Sequence, residues 1–166
     1  MGGWVYTYAV AAGLGTASSA AYLTSAFWGA LTLGRLLSIP LAAHIKPVTM
    51  LLADLIGCLV GVAVILLGTS TATWVGAFIT GFSMAAIFPT AIAFAGARMT
   101  LTGRVTAWFL VGASLGGMTL PWLIGQLFER IGPLIAPGLI LADLVLALGV
   151  YLVLILGDRR WAAGRA

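Results

Sequence analysis

Charges occur in this chain only at intervals. Four acids and eight bases are spread so that long uncharged runs alternate with short polar breaks. A bilayer core takes roughly 20 apolar residues per helix. In hydrocarbon, only helices and closed barrels satisfy every backbone donor and acceptor. The spacing therefore predicts an all-α polytopic membrane bundle. Composition agrees: 62% of the residues are apolar, 7% are charged and the mean hydropathy is +1.16, whereas a soluble domain is about a quarter charged.

Six segments are legible. The first, 2–14, is short: as a helix it extends about 20 Å against a hydrocarbon core of about 30 Å. The others are expected at 20–44, 48–67, 73–97, 105–128 and 134–156, with a polar cytoplasmic tail over 157–166. Residues 1–156 thus form one transmembrane domain whose first helix is incomplete. Loops this short make neighbouring segments antiparallel. Lys46, Arg98, Arg104, Arg159, Arg160 and Arg165 then share one side and Arg130 alone takes the other. That bias predicts cytoplasmic termini at both ends. A cleavable signal peptide is not expected, because a basic n-region is lacking and Trp4, Tyr6 and Tyr8 interrupt the apolar run.

Polar groups inside the spans carry the functional signal. Arg35 lies roughly 13 Å from the end of its span, far for snorkelling, and Asp54 lies at a similar depth in the next one. An intramembrane Arg is costly unless paired or hydrated, so an Arg35–Asp54 ion pair is expected. It serves either as a lock between helices or as part of substrate or proton coupling. The alternative is an Arg35 hydrated from the cytoplasmic side. Tyr22, Ser25, Trp28, Gly29, Thr32 and Arg35 fall within an arc of about 140° on the second segment, and Trp108, Gly112, Gly116, Thr119, Trp122 and Gln126 within about 120° on the fifth. Thr80, Ser83 and Thr90 share a face of the fourth.

Aromatic planes beside hydroxyl and amide groups suit a sugar, which stacks its C–H faces and hydrogen-bonds its hydroxyls. Helix packing through small and hydroxylated residues is the competing account of the same stripes. Asp143, near the middle of the sixth segment, reads as a proton-coupling acid or as a buried acid with its hydrogen bonds satisfied. Gly57-xxx-Gly61 and Gly112-xxx-Gly116 read as close-approach packing surfaces. Pro89 and Pro121 lie inside spans and are expected to bend them. One His and four scattered acids give no metal cluster, and no nucleophile triad or phosphate loop is present. Neither enzyme chemistry nor a cofactor is expected, and bases confined to span ends do not fit a nucleic-acid partner.

Trp4-Val-Tyr-Thr-Tyr8, Ala21-Tyr-Leu-Thr-Ser-Ala-Phe-Trp28 and Thr32-Leu-Gly-Arg35 resemble the seventh and eighth helices of the fucose permease-like branch of the major facilitator superfamily. Ile87-Phe-Pro-Thr90 resembles that branch's tenth helix, and Gly112-Ala-Ser-Leu-Gly-Gly117 with Pro121 its eleventh. The resemblance covers residues 3–156. It implies the C-terminal six-helix half of a twelve-helix sugar transporter of the plasma or inner membrane, proton-coupled and working by alternating access. The positions it nominates as substrate-lining are Trp4, Tyr8, Tyr22, Trp28, Arg35, Ser83 and Trp108, to which the stripes add Ser25, Thr32, Thr119 and Gln126.

Two departures stand out. The loop after the second segment reads Pro40-Leu-Ala-Ala-His44-Ile-Lys-Pro47 in place of the superfamily's Gly-x-x-x-Asp-Arg-x-Gly-Arg, and the seventh helix lacks two turns before its Trp. The expected partners are membrane lipid, a small polar solute, and a missing N-terminal half or a second copy of the chain. A C-terminal half from a truncated or mis-started reading frame is the leading expectation, and a dimerising half-transporter and a non-transporting structural or assembly subunit or inactive fragment are the alternatives.

Overall fold

The computed structural model describes residues 2–163, without the side chains of 158–163. They form α1 (Gly2–Ala11), α2 (Ala17–Ala42), α3 (Pro47–Ile65), α4 (Ser70–Met84), α5 (Ile87–Gly96), α6 (Gly103–Ile131) and α7 (Ile135–Ala163). No strand occurs among the described residues. Five units are long and apolar enough to cross a membrane, α4 and α5 together making one of them. The helix starts follow local chemistry. Thr16, Thr69 and Thr102 each accept a hydrogen bond from the backbone N–H three residues on, and Pro47 occupies the first turn of α3, where its missing N–H costs nothing. After α3 the chain turns at Gly68, whose φ of +70° is one that L side chains rarely adopt.

One expectation is corrected. The fourth segment is not one helix: it breaks at Ala85–Ala86, upstream of Pro89. Pro89 has no N–H to offer the carbonyl of Ala85, and its ring crowds that carbonyl, so the helix opens there. By contrast, α6 runs through Pro121 without interruption. Beyond the apolar span, which ends at Gly157, the α7 helix continues to Ala163. Arg165 lies outside the described residues.

The centre of the bundle is α4, held against α2 and α3 at glycines. A Cβ at Gly61 would lie 2.9 Å from the Gly76 carbonyl oxygen, and one at Gly76 would lie 2.9 Å from the Ile65 nitrogen. On the other flank, Gly34 lies against the Phe82 carbonyl and Gly81 against that of Phe27. The Gly57–Gly61 pair is therefore the packing surface its spacing predicts. The Gly112–Gly116 pair is not one within this chain, because nothing lies within 4 Å of a Cβ at either residue.

The short α1 reaches only about halfway along α2, with Gly2 against Phe27 and Trp28 and Val5 and Ala9 packed on Ala20, Leu23 and Ala77. Along α3 runs α7, whose Tyr151 hydroxyl donates to the Val48 carbonyl at 2.8 Å and whose ring lies 6.0 Å from Phe94. These contacts put the start of α3, the end of α5 and the second half of α7 at one end of the bundle. Lys46 and Arg98 share that end. There the Arg98 guanidinium stacks 3.6 Å from the Phe94 ring and donates to the Phe94 carbonyl. The outermost helix is α6, in which Ile124 is the buried residue.

Candidate functional site

The predicted stripes are open faces. On α2, Tyr22 is 70% exposed and Trp28 54%, and Ser25, Thr32 and Arg35 are exposed with them. On α6, Trp108 is 67% exposed and Trp122 65%, with Thr119 and Gln126 alongside. The hydroxyls of Ser25, Thr32 and Thr119 each donate to the carbonyl four residues back. Their donors are thereby used within the helix, while their oxygen lone pairs still face outward. Between the two stripes lies α1, packed on α2 and touching α6 where Trp4 meets Phe128 at 5.5 Å.

Three nominated residues do not reach an open face, among them Ser83, half-buried against Gly57 of α3. Tyr8 is 2% exposed, and its hydroxyl donates to the Ile65 carbonyl at 3.3 Å. Trp4 is half-buried against Phe128. The reason is rotational: Val5, Tyr8 and Ala9 form the inward side of α1, and a buried tyrosine needs a partner for its O–H, which the end of α3 supplies. Tyr8→Phe is expected to cost about 1 kcal/mol of stability, one net hydrogen bond, and to leave solute handling unchanged. Thermal unfolding beside a solute-uptake assay checks both halves of that expectation.

The expected ion pair is not formed. Among the described residues no salt bridge joins Arg35 to Asp54, and the Oδ2 of Asp54 is buried with no hydrogen-bond partner. The two side chains line adjoining cavities. Arg35 borders a groove of ≈ 460 Å³ together with Ser38, Pro89 and Thr90. Asp54 borders a cavity of ≈ 250 Å³ with Thr49, Ser38 and Ser83. Ser38, Ile45, Met50 and Ala86 line both spaces and stand between the two charges. The pair was matched by depth along the spans alone. The helix rotations separated it, with Arg35 on the open flank of α2 and Asp54 turned towards α4.

Asp143 is exposed rather than buried, in a cleft of ≈ 190 Å³ between α6 and α7 that it shares with Thr119 and Gly116. Sequence reasoning passed over Ser38, Thr49 and the break at Ala85–Ala86. The signal for the break was present in Ile87-Phe-Pro-Thr90, read as a bend rather than as an opening of the helix.

The chain is similar to named transporters. It is 36% identical over 132 residues to the human major facilitator superfamily domain-containing protein 4A, covering 78% of this chain and 26% of that protein. The Xenopus tropicalis protein of the same name is 34% identical over 161 residues, covering 94% of this chain and 32% of its own length. The Danio rerio sodium-dependent glucose transporter 1 is 39% identical over 116 residues, covering 69% of this chain and 20% of its own length. The chain thus spans a third or less of the curated relatives it matches. No protein-family model matches it, and no solved structure does.

Proposed function

Because the chain belongs to the major facilitator superfamily, we propose that it acts as the C-terminal half of a secondary transporter. That transporter moves a sugar or a similar small polar solute by alternating access across the plasma or inner membrane. The observation that carries this reading is the pair of exposed aromatic and polar faces on α2 and α6. The Arg35 charge on the α2 face is costly to leave in lipid, and the tryptophan and tyrosine planes of both faces match the alternation of C–H and O–H surface on a sugar. Both faces then belong against a solute path. The covering partner is an N-terminal half or a second copy of this chain, and the unpacked Gly112–Gly116 surface offers it a close approach.

The bias of Lys46, Arg98 and Arg104 to that end of the bundle supports a cytoplasmic face there, with the end of α7 on the same side. Three of the similar proteins are named sodium-dependent glucose transporters, which supports sodium as a coupling ion beside the expected proton.

Tryptophan fluorescence of the purified chain in nanodiscs tests the reading. A hexose titration is expected to change the emission saturably, with a smaller response in Trp28→Phe. Brominated lipid is expected to quench Trp28 weakly. Strong quenching by brominated lipid with no response to any sugar would assign the stripes to the lipid boundary.

A further inference from the structure

The least explained group in the bundle is Asp54. It sits about 10 Å into α3, and its Oδ2 is buried without a hydrogen-bond partner. Arg35, which its depth would offer as a counter-charge, lines the neighbouring groove instead. A carboxylate oxygen buried without a partner is costly unless something satisfies it. Whatever does so must enter the cavity of ≈ 250 Å³ that Asp54 borders.

That cavity is built for a small hard cation. Its polar lining is oxygen: the Asp54 carboxylate and the hydroxyls of Thr49, Ser38 and Ser83. Gly57 creates the room for Ser83, since a Cβ there would collide with the Ser83 side chain. Residue 57 is nearly one turn beyond Asp54, so the missing side chain leaves the Ser83 hydroxyl beside the carboxylate's own face of α3. Ala86, in the break between α4 and α5, also lines the cavity. The neighbouring Ala85 carbonyl has lost its helical donor to Pro89. Interrupted helices supply backbone oxygen to ions in transporters, where irregular backbone lines a cavity.

The charge count selects the ion. One carboxylate balances one positive charge, and among the described residues no three His, Cys, Asp or Glu side chains cluster as a divalent metal would need. On the surrounding helices the ionisable residues are Tyr22 and Arg35 in α2, Cys58 in α3 with Lys46 at its N-cap, and Asp143, Tyr151, Asp158, Arg159 and Arg160 in α7. Neither α4 nor α5 carries any.

We propose that Asp54, with the hydroxyls of Ser83 and Thr49, binds a monovalent cation, a sodium ion or a proton, at the break between α4 and α5. The proposal rests on the transport reading above only for its consequence, that this cation is the coupling ion. Ion occupancy draws α3 towards the break in the fourth span, and the break is where that span can flex. The groove on the Arg35 side shares Ser38, Ile45, Met50 and Ala86 with the cavity, which gives the ion a route from the Lys46 end of the bundle.

Thermal unfolding of the purified full chain in nanodiscs, in sodium chloride against choline chloride at constant ionic strength, is the test. Infrared difference spectra recorded across a pH series accompany it. If the ion is sodium, the melting temperature rises with sodium in the wild type and stays flat in Asp54→Asn. Ser83→Ala then shifts the half-effective sodium concentration upward about tenfold, equivalent to ~1.4 kcal/mol. If the ion is a proton, sodium has no effect, and a protonated-carboxyl band that fades as pH rises is absent from Asp54→Asn.

Asp54→Asn removes an unsatisfied charge and is expected to remain folded in choline, so a lost response reports binding rather than unfolding. A sodium response or carboxyl band that persists in Asp54→Asn would overturn the proposal, as would a wild type that shows neither. Sugar uptake is read separately. A chain that binds the cation but, assembled with an N-terminal half, is inert towards sugar contradicts the transport reading and leaves this site standing.

Discussion

Gly61→Val is expected to lower the stability of the bundle by about 3 kcal/mol, the upper part of the range for forcing volume into a close-packed interface. At Gly61 the α3 backbone meets Gly76 and Thr80 of α4, and an added Cβ would lie 2.8 Å from the Thr80 nitrogen. Backbone cannot rotate out of the way as a flexible side chain does. The two helices must separate, and the Cys58 and Val62 packing beside them is loosened as well. Gly112→Val is the control. It has the same motif spacing, but nothing lies within 4 Å of the new Cβ, and its effect should stay within about 0.5 kcal/mol. Circular dichroism melts of both variants in one detergent give the comparison. Equal melting temperatures for the two would mean that α3 and α4 are not held together at these glycines.

That contrast marks what the sequence could convey. Gly57-xxx-Gly61 and Gly112-xxx-Gly116 are the same pattern, yet only the first is filled, because a motif records that a backbone can be approached and not by what. Span number was far more legible. It rests on the one requirement that hydrocarbon imposes, an uncharged run long enough to cross, and each expected segment has a helix in its place. Thr69 and Thr102 ahead of their helices, and Pro47 at the head of α3, are local signals that did not depend on tertiary structure.

Rotation about each helix axis was much harder to read. Arg35 and Asp54 were matched by depth, which sequence spacing gives at 1.5 Å per residue. Their facing directions depend on which side of α2 and α3 the glycine contacts of α4 occupy. The same rotation buried Tyr8 and turned Asp143 outward. The α2 stripe is exposed while Leu23, Phe27 and Leu31 are buried, whereas α6 is exposed nearly all round, so exposure singles out no face of it.

The second large effect concerns those faces. Trp28→Ala removes the broad plane midway along α2, and Arg35→Gln removes the charge from the groove that ends at Pro89 and Thr90. Neither side chain is part of the buried core, so both variants should fold and insert as the wild type does. Stacking and charge-assisted hydrogen bonds to a solute are each of the order of 1–3 kcal/mol. Losing either is expected to slow uptake about tenfold or more.

The decisive measurement is uptake of a labelled hexose into liposomes that hold this chain assembled with an N-terminal six-helix half, driven by an inward sodium or proton gradient. Wild type is predicted to accumulate the sugar, and Trp28→Ala and Arg35→Gln to lose at least nine-tenths of that rate (about tenfold) at unchanged protein content. Uptake that is equal in all three would contradict the assignment of the α2 face to the solute path.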